Sequence, residues 1–201
     1  MVFHVSEERD IERFEPRTGS TFVRRGPSGR LILDTARKSV ADAISVVWAI
    51  DGERLRNYLL PRDCPRVTYY AGPNTTAADR DRFLGSSAAV VAIERRWLER
   101  LHRCRLYCYH LPADTFECAD EGAGYFVSQM PVQPTWVEII DDAIAALMWR
   151  RVELRVLPTL WRLRDAVLES SLQFSMIRMR HALPRPALRG GLIEPHDVSC
   201  R

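Results

Sequence analysis

The sequence predicts an α+β fold with a mixed or antiparallel sheet core of about six or seven strands, short helices between them and two C-terminal helices. Three observations carry this. Before Pro134 the apolar residues fall in short β-branched and aromatic runs closed by Gly, Pro, Asp or Asn, the punctuation of strands and turns. No segment of that region keeps a helical period for long. After Pro134 the period changes and two amphipathic stretches follow, so strands lead and helices close the chain.

Residues 2–6 read as an opening strand, and Ser6-Glu7-Glu8-Arg9-Asp10-Ile11 as a turn of helix capped by Ser6. Residues 18–45 are rich in Gly, Ser and Arg around a single apolar run, Leu31-Ile32-Leu33, and read as a long mobile insertion. Strands are expected at 46–50, 67–71, 88–94, 104–111 and 124–129. Between them, 53–60 has helical spacing until Pro61 stops it, Thr76 caps a short polar helix through Phe83, and 95–101 is a turn or short helix.

Trp136 to Arg150 reads as an amphipathic helix with Ile139, Ile140, Ala143 and Leu147 on one side and Asp141-Asp142 near its start, where the dipole favours acids. Leu154 to Leu157 reads as a short edge strand. From Thr159 to Met179 two apolar rows predict a buried core helix, Leu160, Leu163, Val167, Phe174 and Ile177 beside Trp161, Leu168, Leu172 and Met179. Pro184-Arg185-Pro186 and Gly190-Gly191 mark a flexible tail. The division is one domain over 1–181 and a tail over 182–201.

The bulk properties narrow the function classes. Hydrophobic residues make up 46% of the 201 and charged residues 27%, which suits a globular core and excludes a disordered chain. No apolar run is long enough for a helix to span a bilayer, and Met1 leads into a polar segment, so the expected location is cytoplasmic, with no membrane partner. Lys38 is the only lysine among 29 basic residues, but 26 acids spread along the chain offset the arginines and leave no nucleic-acid footprint. Five cysteines, odd in number and unevenly spaced, read as reduced thiols.

His102, Cys104, Cys108, His110 and Cys118 are the densest set of metal-type residues. On one strand Cys104 and Cys108 would stand about 13 Å apart at ~3.3 Å per residue, too far to share one ion. That leaves only Cys108 and His110 as partners, and no metal is expected. No Gly-x-Ser-x-Gly elbow, phosphate-binding glycine loop or His-Glu-x-x-His occurs. His4 stands out because an apolar strand carries it between Phe3 and Val5, with Ser6 on its own face. Tyr58 follows Asn57 on the segment stopped by Pro61, and Arg62 and Arg66 beyond it either grip phosphate or pair with local acids, solvated salt bridges being the expected role for both.

Phe3-His4-Val5-Ser6, followed by Trp48-Ala49-Ile50-Asp51-Gly52-Glu53-Arg54-Leu55-Arg56-Asn57-Tyr58, resembles the His…Tyr part of the ADP-ribosyltransferase-like superfamily in its His-Tyr-Glu branch. The blocks Phe-His-Val-Ser-Glu-Glu, Tyr-Leu-Leu-Pro-Arg-Asp-Cys-Pro-Arg-Val-Thr and Gln-Phe-Ser-x-Ile-Arg-Met-Arg are similar to those of a bacterial family of uncharacterised proteins. The resemblance implies an ADP-ribosyltransferase-like fold and NAD as cofactor. It implies that His4 meets the ribose, Ser6 the nicotinamide amide, and Tyr58 the nicotinamide ring, with Tyr125 beside them. It also implies a carboxylate at the start of a late strand, and there Gly124-Tyr125-Phe126-Val127 carries glycine. Glu121 is the nearest replacement as a catalytic group, ahead of Asp120 and Gln129.

The expected function is binding of NAD or a related nucleotide, with transfer of a single ADP-ribose or hydrolysis of NAD. A non-catalytic nucleotide-binding or interaction module of the same fold is the alternative. A third reading makes His4 a general base near Glu7 or Glu8 of another small-molecule enzyme.

Overall fold

The structure, a computed structural model, describes residues 1–18, 22–26, 28–34 and 44–186. Strand β1 (Val2–Ser6) opens the chain, followed by β2 (Phe22–Arg25), β3 (Leu31–Asp34) and β4 (Val47–Ile50). A 3₁₀ turn at Leu55–Tyr58 leads to β5 (Arg66–Tyr70), the single turn α1 (Ala77–Asp79) and β6 (Ala89–Glu94). Next come α2 (Leu98–Arg103), β7 (Leu106–Leu111), β8 (Glu117–Asp120), β9 (Tyr125–Ser128) and β10 (Trp136–Ile140). The chain then forms α3 (Ala143–Trp149), β11 (Val152–Leu157), α4 (Trp161–Leu168), β12 (Gln173–Ile177) and a last 3₁₀ turn, Met179–His181.

The strands divide into two sheets and a hairpin. Six form an antiparallel sheet in the order β10-β7-β1-β4-β9-β8, and four form a second sheet, β11-β6-β5-β12, whose β11–β6 pair alone is parallel. The fold is therefore α+β, with its strands in two sheets where the sequence suggests one. Ile50, Leu106, Cys108 and Ile140 of the first sheet meet Tyr70, Ala89, Val91, Ile93 and Val152 of the second in one buried cluster. Each Leu, Ile or Val buried there contributes roughly 1.5–3 kcal/mol of transfer free energy. Leu160 and Val167 cover the outer face of β5 and β6, so β6 is buried on both sides and reads as an unbroken apolar run. Phe14 and Val132 cover the outer face of the six-stranded sheet.

Four expectations change. Trp136–Ile140 is strand β10, and the helix expected from Trp136 is confined to Ala143–Trp149. Trp-Val-Glu-Ile-Ile is β-branched, and pairing along β7 outweighs the helical spacing of its apolar residues. Asp142 caps α3, accepting from the Ala145 amide at 2.8 Å. The core helix expected to Met179 stops at Leu168, where the Ser170 hydroxyl bonds back to the Val167 carbonyl. Gln173–Ile177 then turns into β12 against β5. No helix forms after Ser6, whose hydroxyl instead accepts from the Glu8 amide at 3.0 Å.

The fourth change concerns the expected insertion and tail. The insertion carries the β2–β3 hairpin, which packs Val23 and Leu31 on Val46 and Val127, while 19–21, 27 and 35–43 lie outside the described residues. Of the tail, 187–201 lies outside them too. Leu183 is anchored: its amide donates to the buried Glu94 carboxylate at 3.0 Å, and its carbonyl accepts from the Trp161 indole at 2.7 Å. Among the described residues no helix is long and apolar enough to cross a membrane.

Candidate functional site

Strands β1 and β4 are paired at Phe3↔Ile50 alone, whereas β1 pairs with β7 along its whole length. Beyond Phe3 the sheet opens, and backbone groups that a ladder would satisfy need other partners. The imidazole of His4 supplies one, with Nδ1 lying 2.9 Å from the Trp48 carbonyl oxygen. A carbonyl only accepts, so Nδ1 carries the proton and Nε2 is the acceptor of the neutral ring. Burial lowers the His4 pKa, outweighing the bond to Trp48, and the ring is neutral at pH 7. Its outer face packs on Phe14, ring centroids 4.8 Å apart.

The opening leads into a cleft of about 790 Å³ that His4, Ser6, Tyr58 and Tyr125 all line. The 3₁₀ turn before Leu59 presents Tyr58, whose hydroxyl donates to that of Tyr125 at 2.9 Å. Tyr125 stands on β9 opposite Ile50 and meets Trp48 edge-on at 5.7 Å. Burial, then the neighbouring Tyr125, push the Tyr58 hydroxyl far above its ordinary pKa, so it stays a neutral donor. The wall is aromatic with hydroxyls at its edge. Such a surface accepts a flat ring and offers it polar contacts.

The charge of the cleft is unequal, with Arg62, Arg66, Arg178 and Arg180 in the lining against Glu7 as the one acid among the described residues. Arg66 is 2% exposed, and its guanidinium carbon lies 5.9 Å from the centre of the Tyr58 ring. Nη1 donates to the carbonyls of Pro61 and Cys64, each at 3.1 Å, and the buried Nε has no partner among the described residues. No carboxylate among the described residues pairs with Arg66 or Arg62, which corrects the local ion pairs expected for both. Asp63, the nearest acid in sequence, lies instead 3.6 Å from His181. Burial lowers the pKa of Arg66, yet a guanidinium stays protonated in proteins. A buried, unmatched positive charge is costly, and an anion entering the cleft relieves that cost.

Arg178 holds a left-handed backbone, φ 56°, at the start of the last 3₁₀ turn. That conformation costs a non-glycine residue about 1–2 kcal/mol and here sets an arginine on the cleft. Glu7 accepts from the Arg62 amide at 2.7 Å and pairs with Arg100 at 3.1 Å.

The late-strand position is built differently from the rest. Gly124 has φ +67°, its carbonyl accepts from the Asp51 amide at 3.0 Å, and a Cβ there would stand 2.7 Å from Asp51 Cγ and 3.0 Å from Arg54 Cδ. A side chain at 124 would thus meet both a backbone conformation that favours glycine and the Asp51 carboxylate. Glu121 is exposed in the turn between β8 and β9 and is not part of the cleft lining; nor is Asp120, whose carboxylate holds the Ala123 amide at 2.9 Å. Gln129 is exposed and accepts from Arg25. Sequence reasoning favoured a solvated salt bridge for Arg66, where the structure buries it in the cleft lining, and gave β12 and the last 3₁₀ turn no share in the site. An arginine opening the apolar run Val67-Thr68-Tyr69-Tyr70 was the available signal.

The class of protein defined here is an α+β domain with a cationic, aromatic-walled cleft at a split in its main sheet. A family model described as "Family of unknown function (DUF6886)" matches residues 3–182, and the chain belongs to that family. The matched span contains every residue that lines the cleft. No curated protein and no solved structure matches the chain significantly.

Two predictions follow from this geometry. Because the folded state keeps His4 neutral, the unfolded chain binds the extra proton first, so stability falls as pH drops below the ordinary histidine value of 6.5. Urea midpoints against pH should show this loss as the pH drops below about 6.5, and His4→Gln should flatten it. Replacing Gly124 by Ala should destabilise by about 1–3 kcal/mol, and Gly124→Glu by more, with Gly124→Ala partly rescued by Asp51→Gly. A Gly124→Glu protein as stable as the parent would contradict this packing.

Proposed function

We propose that this chain is an ADP-ribosyltransferase-like protein that binds NAD or a related nucleotide in the cleft between β1 and β4. The observation that carries the reading is Arg66, a buried guanidinium without a carboxylate partner among the described residues, set beside Tyr58 where the described lining holds four arginines and one glutamate. A ligand that answers both features has a flat ring for the tyrosines and phosphates for the arginines, which describes a dinucleotide. In this reading the Tyr58 ring takes the nicotinamide, and Nε2 of His4 accepts from a ribose hydroxyl. Ser6 meets the amide, and the phosphates lie toward Arg66 and Arg178.

Chemistry at this site would break the bond between ribose C1′ and the nicotinamide nitrogen. The electron pair leaves with nicotinamide, and a water or an acceptor hydroxyl adds to C1′ and loses its proton. Fixed geometry and the neutral His4 favour an oxocarbenium-like state, but Glu7 is the only carboxylate of the lining among the described residues and is already held by Arg62 and Arg100. A second reading, a nucleotide-binding module without turnover, is favoured by Gly124, where Asp51 fills the space that a larger side chain would take.

Calorimetric titration of the full chain with NAD and with ADP-ribose tests the reading. Both should bind. Arg66→Gln, which keeps an N–H for the carbonyls of Pro61 and Cys64, should weaken both by about 10- to 100-fold, the worth of a charged hydrogen bond of about 1.5–3 kcal/mol. If neither ligand binds the parent protein, the nucleotide reading is wrong. Binding without release of nicotinamide selects the module over the enzyme.

A further inference from the structure

We propose that Cys108, His110 and Glu138 form a binding site for one zinc(II) or similar divalent transition-metal ion, joining β7 to the edge strand β10. Cys108 and His110 are two apart on β7 and share its inner face, and Glu138 is the direct cross-strand partner of Cys108. The sulfur, an imidazole nitrogen and a carboxylate oxygen all lie within 4.8 Å of one another. The proposal does not depend on the nucleotide reading.

Three features distinguish this group from an accidental meeting of polar side chains. Nε2 of His110 is buried and has no hydrogen-bond partner among the described residues, with the nearest Glu138 oxygen 3.9 Å away. An orphan nitrogen of this kind is costly unless something binds it. The imidazole is held in place by Phe3 edge-on at 4.9 Å and by Trp136 at 4.5 Å. Cys108 is fully buried below it, so the thiol is shielded from the solvent that reaches Glu138.

The donor set, one sulfur, one nitrogen and one oxygen, suits a borderline ion such as zinc. A tetrahedral ion bound at roughly 2.0–2.3 Å needs ligand atoms about 3.3–3.7 Å apart, so the present group must tighten by about 1 Å. Glu138, the most exposed of the three, has the freedom to do so. On binding, a sulfur–metal bond forms, the thiol proton leaves to solvent, and the fourth position is left to water. The ion would fasten the outer strand of the main sheet and hold His110 against Phe3, a residue of the cleft lining.

Titration of the chelator-washed full chain with cobalt(II), read by absorption, tests the site. The expected result is one equivalent of tetrahedral cobalt with a thiolate charge-transfer band, displaced by zinc. The band should vanish in Cys108→Ser and persist in Cys118→Ser, whose cysteine stands on β8. Glu138→Gln, a change at a partly exposed position, should weaken cobalt binding by an order of magnitude or more. Absence of a thiolate band, or a band that survives Cys108→Ser, overturns the proposal. If Cys108→Ser does not fold, an unchanged cobalt affinity in Glu138→Gln overturns it equally.

Discussion

A strand in the middle of a sheet must place its backbone donors and acceptors on neighbours, and between β1 and β4 this chain gives up that pairing after one residue pair. The imidazole of His4, bonded to the Trp48 carbonyl, spans the gap, and the opening becomes a cleft walled by Tyr58 and Tyr125. The rest of the site depends on that separation. Were β1 and β4 zipped along their length, the Trp48 carbonyl would be taken by the ladder. His4 would then be one more side chain packed on Phe14.

The second sheet supplies what the first lacks. Strand β5 is buried throughout and brings Arg66 to the cleft at its first position, where two carbonyls from the Pro61–Pro65 turn hold the guanidinium without neutralising it. Strand β12, on the far side of β5, ends at the left-handed Arg178, so two arginines converge from adjacent strands. The fold bears the cost of a buried charge and of a strained backbone at the same place. Such costs are concentrated where a protein meets a ligand.

Much of this was legible in the sequence, and the failures have physical causes. The strands at 46–50, 67–71, 88–94 and 124–129 were announced by β-branched runs closed by Gly, Pro or Asp, and local chemistry decides such elements. Trp136–Ile140 and Gln173–Ile177 were misread because their apolar residues also satisfy a helical spacing, and only pairing with β7 and β5 selects the extended form. His4, Ser6, Tyr58 and Tyr125, which the sequence connects only through its resemblance to the superfamily, all line one cleft. The salt bridge expected for Arg66 does not form among the described residues, because the fold turns Asp63, the nearest acid in sequence, toward His181. Gly124 was visible as a departure from a pattern, but its reason, the carboxylate of Asp51 against its α-carbon, exists only in three dimensions.

The central claim is that His4 bridges the split as a neutral ring, with its proton on Nδ1 and its Nε2 open to a ligand in the cleft. Nitrogen-15 spectra of the imidazole, recorded near neutral pH with and without ADP-ribose, test it most directly. The account predicts a protonated Nδ1, an unprotonated Nε2, and a shift confined largely to Nε2 when ADP-ribose is added. A proton on Nε2, or a ring that titrates like free histidine and ignores the nucleotide, would contradict it.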